Sequence, residues 1–188
     1  MAAGIKLIGR DGFAAISIEA VCNEAGLTKR YFYESFSSTD ELLIEAYREV
    51  VSELMTSIQK ATMPHLNNAK TLVHTGLAQT FKFVADNPDK ARLMMIEAMS
   101  VRSHLGRVYG QGYGQFVQLL VAFTKPFLPG DGPGDIILSV MAKASVGSLI
   151  HLCQGWIATD FKQPIGELIE GMERIFSGMA KELGISIW

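Results

Sequence analysis

At 188 residues the chain is long enough for one large domain or two small ones, and its 48% hydrophobic content supplies more apolar surface than a modest monomer hides, which implies an oligomer interface or an internal cavity. Net charge is only −2, and the two cysteines, Cys22 and Cys153, have neither CxxC spacing nor a cluster of metal-binding neighbours, which excludes a cysteine-ligated metal site and suits a reducing cytoplasm. The first residues lack the charged head and long apolar run of a signal peptide, so a cytoplasmic protein is expected.

Apolar residues recur at helical spacing almost throughout, and no alternating run of β-branched residues competes with them, so the fold class is all-α. A first helix ends at Asp11-Gly12, where glycine supplies the stop, and Ser17 caps a second helix through about Ala25 with Glu19 in its first turn. Gly26-Leu27 makes a turn, Thr28 caps a third helix to about Phe36, and Ser38-Thr39-Asp40-Glu41 fits the S-x-x-E capping box of a long helix ending before Pro64. Further helices run from about Ala69 to Ala85, from Asn87-Pro88 to about Val101, and from about Leu105 to Thr124.

The segment KPFLPGDGPGD, with three prolines and three glycines, is the clearest loop and precedes an apolar helix over Ile136 to Thr159. A bilayer span needs ~20 apolar residues. This stretch carries Lys143 near its middle and is interrupted by Ser139, Ser145, Gly147, Ser148, His151, Gln154 and Gly155, so a buried helix of a soluble protein is expected and no membrane partner. Pro164 opens the last helix, where Ile165, Leu168, Ile169, Met172, Ile175, Phe176, Met179 and Leu183 share one face that must be covered.

The helices Ser17 to Ala25 and Thr28 to Phe36, joined by a glycine turn, have the form of a helix-turn-helix, whose second helix enters a DNA major groove. Spacing sends Ile18, Val21, Cys22, Phe32 and Phe36 to a small core shared with Ile5, Ile8 and Phe13, leaving Lys29, Arg30, Tyr31 and Tyr33 to point elsewhere. Their chemistry suits a nucleic acid: Thr28 and Tyr33 offer hydroxyls to phosphate, Lys29 neutralises phosphate charge, and Arg30 donates twice to guanine. The same residues also fit a plain structural reading, because a Lys-Arg pair is often a solvated face and aromatics at helical spacing are often core.

The span from about Ala3 to Tyr47, with DGF, SIEAVCNEAGLTKRYFYESF and SSTDELLIEAY, resembles the DNA-binding domain of the TetR family of transcriptional regulators. The resemblance implies a homodimeric, usually repressing protein whose helical C-terminal domain binds a small molecule and pairs through its last two long helices. Ser17, Thr28, Tyr33 and Ser38 would then hold phosphates, and Lys29, Arg30 and Tyr31 would sit in the major groove. It divides the chain into a helix-turn-helix DNA-binding domain at residues 1–47 and a ligand-binding and dimerisation domain at residues 48–188.

Two departures from the family pattern carry expectations of their own. Thr39 stands where the family usually has a lysine or arginine, which removes one charged phosphate contact. The chain also starts partway into the expected first helix, without the basic arm typical of the family. Residues 1–47 hold four cations (Lys6, Arg10, Lys29, Arg30) and seven acids (Asp11, Glu19, Glu24, Glu34, Asp40, Glu41, Glu45), a balance of 4 − 7 = −3, so non-specific DNA affinity should be poor.

A dimer reading a near-palindrome, with recognition helices one DNA turn or roughly 34–36 Å apart, is the efficient solution for so short a reading helix. The apolar stripes of Ile136 to Ile157 and Ile165 to Leu183 could pair with their symmetry mates as a four-helix bundle, the alternative being burial within one chain. Met95, Met99, Tyr113 and Phe116 are candidate lining for an apolar or amphipathic effector, with His104 and His151 as polar contacts. No metal-ligand spacing joins the four histidines, and no G-x-S-x-G, P-loop or dinucleotide fingerprint is present, so no enzyme, cofactor or metal is expected. The competing reading is a helical ligand-binding or scaffold dimer that has lost DNA binding.

Overall fold

The computed structural model describes residues 1–100, 105–130 and 132–185, and among them regular structure is helical with no strand. The helices are α1 (Ala2–Asp11), α2 (Ile18–Ala25), α3 (Lys29–Ser35), α4 (Thr39–Thr62), α5 (Ala69–Asp86), α6 (Pro88–Arg92), α7 (Ala98–Ser100), α8 (Leu105–Thr124), α9 (Asp135–Ala158) and α10 (Ile165–Glu182). The all-α class and the N-terminal helix-turn-helix expected from the sequence are what the chain adopts.

Ser17 and Ser38 act as the side-chain caps expected of them, the second with one shift of register, whereas Thr28 and Asn87 stand at N-cap positions without a side-chain capping bond. Ser17 Oγ accepts from the Ala20 N–H at 3.1 Å, and Gly26 takes the left-handed conformation (φ 66, ψ 30) that lets the Leu27 N–H reach the Cys22 carbonyl at 2.9 Å. At the start of α4, Ser38 Oγ accepts from the Glu41 N–H at 3.2 Å, but the Glu41 carboxylate returns to the Ser37 N–H at 2.7 Å rather than to that of Ser38. The single helix expected from Asn87 to about Val101 contains a five-residue π turn, Leu93–Glu97, between α6 and α7; one extra residue in a turn leaves too faint a trace in apolar spacing to be read, and Val101 lies outside the described residues.

Packing divides the chain into two compact units, Met1–Glu53 with Val84–Gly110, and Leu54–Phe83 with Gln111–Trp188. In the first, Leu7, Val21, Cys22, Phe32 and Leu42 form a buried cluster on which Ile16, Ile18, Ala20 and Phe36 pack. Leu7 and Leu42 thus take the place assigned to Ile5, Ile8 and Phe13. Ile5 and Ile8 are buried without being members of that cluster, and Phe13 is fastened by its backbone, its N–H donating to Glu97 Oε2 at 2.8 Å. That bond ties the end of the π turn to the segment between α1 and α2. α1 also lies directly on α6: a Cβ on Gly9 would sit 2.3 Å from the Asp89 carbonyl oxygen, so only glycine fits.

In the second unit, fully buried Phe81 meets Trp156 edge-on with ring centroids 5.8 Å apart. Trp156 Nε1 donates to the Gln163 carbonyl at 3.0 Å and its ring takes Phe161 edge-on at 5.0 Å, which fixes the turn from α9 to α10. A second cluster, Val117, Ala142 and Val146, joins α8 to α9. Cys153 is fully buried, which pushes its thiol up to about 12 and keeps it protonated and inert at neutral pH.

Burial of α9 is one-sided, against the expectation of a buried helix. Leu138, Ala142, Val146, Cys153, Trp156 and Ile157 face inward, whereas Ile136 is 82% exposed, Val140 58% and Ile137 55%. α10 likewise buries Met172 and leaves Ile165 and Ile175 exposed. By length and composition α9 could cross a membrane, but its inward face packs on neighbouring helices of the same unit.

The two kinds of glycine on this fold respond oppositely to a methyl group. Gly9→Ala drives α1 off α6 and is expected to lower stability by about 1–3 kcal/mol. Gly110→Ala, where a Cβ meets nothing within 4 Å in α8, should raise it by roughly 0.5–1 kcal/mol. Urea unfolding of both variants checks this; a Gly9→Ala variant as stable as wild type would contradict the backbone contact between α1 and α6.

Candidate nucleic-acid interface

α3 is seven residues long, too short to hold its shape alone, and a buried side chain anchors it. Phe32 is 5% exposed, and its ring meets Phe36 at 5.5 Å on one side and Tyr33, edge-on, at 5.7 Å on the other. At roughly 100° of helix rotation per residue, the neighbours of a buried position turn outward. Thr28, Lys29, Arg30, Tyr31 and Tyr33 are all exposed, Tyr31 at 55% and Tyr33 at 58%.

The other expected phosphate contacts sit at helix starts. Ser17 is exposed with its hydroxyl engaged in capping α2, and Ser38 is half-buried with its hydroxyl capping α4. Thr28 occupies the N-cap position of α3 with extended backbone (φ −90, ψ 160), yet its side chain makes no capping hydrogen bond, and Tyr31 and Phe32 N–H groups go to its carbonyl instead. Thr39, half-buried, is the first residue of α4.

Each cation of α3 is matched by a carboxylate. Lys29 Nζ lies 3.2 Å from Glu19 Oε2 on α2, and Arg30 Nε lies 3.1 Å from Glu34 Oε1 one turn along α3. The second pair follows from i,i+4 spacing and was available to sequence reasoning; the first was not, because it needs the turn at Gly26 to fold α2 back beside α3. Elsewhere in the motif, Glu24 is held below the usual carboxylate range by its bond to Lys6, and Asp11 by its bond to Arg10.

The residues expected to line an effector pocket fall into both units. Met95 is buried in the π turn and Met99 is exposed on α7, both in the first unit. Tyr113 and Phe116 pack together on the Val117, Ala142 and Val146 cluster of the second, where the Tyr113 hydroxyl donates to the Lys143 carbonyl at 2.6 Å. His151 is exposed on α9, and His104 lies outside the described residues.

Among the described residues the chain is helical, and its helix-turn-helix presents a short helix with two cations and two tyrosines on the exposed face. Residues 1–46 match the model of the family described as bacterial regulatory proteins, tetR family, so the resemblance read from the sequence is a family match over the helix-turn-helix and its flanking helices. Similar solved structures share the fold across nearly the whole chain. The fatty acid degradation regulator FadR from Bacillus halodurans has a TM-score of 0.80 at 15% identity, covering 93% of this chain and 94% of that one. FadR from Bacillus subtilis, in complex with stearoyl-CoA, has a TM-score of 0.81 at 13% identity with the same coverage of 93% and 94%. A transcriptional regulator from Rhodococcus sp. Rha1 reaches 0.82 at 14% identity, covering 98% and 96%.

The start of α4 carries a pH signature. Hydrogen bonds from the Ser37 hydroxyl and N–H hold the Glu41 carboxyl below its ordinary value of 4.5. A carboxylate lowered in the folded state stabilises fully above its unfolded value and loses that contribution as pH falls through the lowered one. Thermal unfolding of wild type and Glu41→Gln should therefore differ above pH 4.5 and converge below it; a constant difference across that range would contradict the assignment.

Proposed function

We propose that the protein is a ligand-responsive DNA-binding transcriptional regulator, a repressor that binds a near-palindromic operator as a homodimer and is released by a small apolar or amphipathic effector. The observation that carries this reading is α3, with Phe32 buried behind and Lys29, Arg30, Tyr31 and Tyr33 exposed in front, inside a segment matching the tetR family model. Residues 1–47 form the DNA-binding part. Arg30 and Tyr31 meet base edges, Lys29 lies beside them in the groove, and Ser17, Thr28, Tyr33 and Ser38 meet phosphates. Residues 48–188 form the ligand-binding and dimerisation part, and the protein works in the cytoplasm.

The open apolar faces of α9 and α10 support pairing through these helices, since exposed Ile136, Ile137, Val140, Ile165 and Ile175 are large apolar groups that a lone soluble chain leaves in water. The stearoyl-CoA in the Bacillus subtilis FadR complex is amphipathic, which favours an effector of that class here. Such a ligand acts by binding one dimer state better than the other and so shifting the spacing of the two recognition helices.

A mobility shift on the DNA upstream of the protein's own gene tests the central claim. Wild type should bind, and the Arg30→Ala, Tyr31→Ala double variant should lose about 10- to 100-fold in affinity, as expected for one bidentate base contact worth ~1–3 kcal/mol. Binding by neither would favour a helical ligand-binding dimer without DNA affinity, and equal binding by both would put the DNA contact at residues other than Arg30 and Tyr31. A second measurement addresses the interface: Val140→Asp with Ile175→Asp should turn a dimer into a monomer in sedimentation at micromolar concentration, and a dimer that survives both charges would place the interface elsewhere.

A further inference from the structure

All four cations in residues 1–47 are paired with acids of the same segment: Lys6 with Glu24 at 2.5 Å, Arg10 with Asp11 at 2.6 Å, Lys29 with Glu19 at 3.2 Å and Arg30 with Glu34 at 3.1 Å. Two of these pairs stand on the exposed face of the helix-turn-helix. We propose that Glu19 and Glu34 are specificity-determining positioning residues, which withhold Lys29 and Arg30 from the phosphates of unrelated DNA and hold Arg30 ready for a base edge. The inference rests on the DNA-binding reading above.

Binding to unrelated DNA draws its affinity from cations that neutralise phosphates and release condensed counterions. Lys29 and Arg30 already carry a counterion each. To reach phosphate they must either give up the carboxylate or bring it along, well within the ~8–10 Å over which charges act at ordinary salt. Neither route gains what an unpaired cation would. With a segment balance of 4 − 7 = −3, no spare positive charge makes up the loss.

Base reading follows a different rule. Glu34 holds Arg30 through Nε, and no other hydrogen bond of Arg30 is present among the described residues while its side chain is 85% exposed. The two Nη groups are the fork that donates to O6 and N7 of guanine. A guanidinium tethered by Nε can use that fork without releasing its carboxylate, and the tether limits the rotamers it must give up on binding. Glu19, reaching Lys29 from α2, ties that lysine to the other helix of the motif in the same way. The carboxylates therefore weaken binding where phosphate is the only attraction and leave it intact where a base edge is offered.

The test measures binding of wild type, Glu19→Gln, Glu34→Gln and the double variant to a duplex from upstream of the protein's own gene and to an unrelated duplex of equal length, across a salt series. Circular dichroism establishes that each variant is folded. Each single variant should tighten unrelated DNA by about threefold and the double by about tenfold at low salt, with the salt dependence steepened by roughly one ion per substitution, while operator affinity changes by less than about threefold. Glu34→Gln should also relax the preference for guanine when single base pairs of the operator are exchanged, which a merely structural acid would not do. Glu45→Gln is the control, since it makes the same charge change on α4, where Glu45 pairs with Arg48 at 2.5 Å, and should leave the ratio of operator to unrelated binding unchanged. An unchanged ratio in the double variant, or an equal fall in Glu45→Gln, overturns the inference and leaves the regulator reading standing. A wild type that binds no DNA at any salt overturns both.

Discussion

Burial of Phe32 is the constraint on which the N-terminal part of the molecule depends. A seven-residue helix cannot repay the ordering of its own first turn, so α3 exists because one ring leaves water, a contribution of about 1.5–3 kcal/mol. The ring also sets the phase of the helix. With Phe32 inward against Leu7, Val21, Cys22 and Leu42, residues 29, 30, 31 and 33 have nowhere to turn but outward. One side chain thus supplies both the stability of the helix and the identity of the face it shows.

Electrostatics then separates this face from an ordinary basic patch. Its cations are few and each is satisfied from within the protein, by Glu19 across the turn and Glu34 along the helix. Surface pairs of this kind contribute little to folding, typically about 0–1 kcal/mol. The face thus combines exposed aromatic rings at Tyr31 and Tyr33 with cations neutralised from within the chain.

The second compact unit has the opposite character. Its inward faces are held by aromatic contacts around Trp156 and by the aliphatic cluster between α8 and α9, yet α9 and α10 keep large apolar residues on the outside. Fully buried Cys153 and largely exposed Ile136 on one helix mark two faces, of which the chain itself covers one. The π turn at Leu93–Glu97 belongs to the first unit, where it brings Glu97 to the Phe13 N–H and joins the middle of the chain to the helix-turn-helix.

Local chemistry made much of this legible from residues alone. Ser17, Gly26, Ser38, Glu41, Pro88 and Pro164 mark helix ends because capping and φ restriction are properties of one or a few neighbouring residues, and the outward set of α3 followed from helical phase once Phe32 was taken as the inward residue. The sequence by itself determined the helices and their order, the π turn within one of them excepted, and the face α3 presents. Only the tertiary structure decided which apolar residues complete the core, since Leu7 and Leu42 differ from Ile5 and Ile8 by rotation about helices whose neighbours periodicity does not name. It alone placed Glu19 beside Lys29, bound Glu97 to Phe13 across 84 positions, and left one side of α9 bare. Those outcomes depend on how distant segments meet in space, and a local pattern of residues holds no record of that.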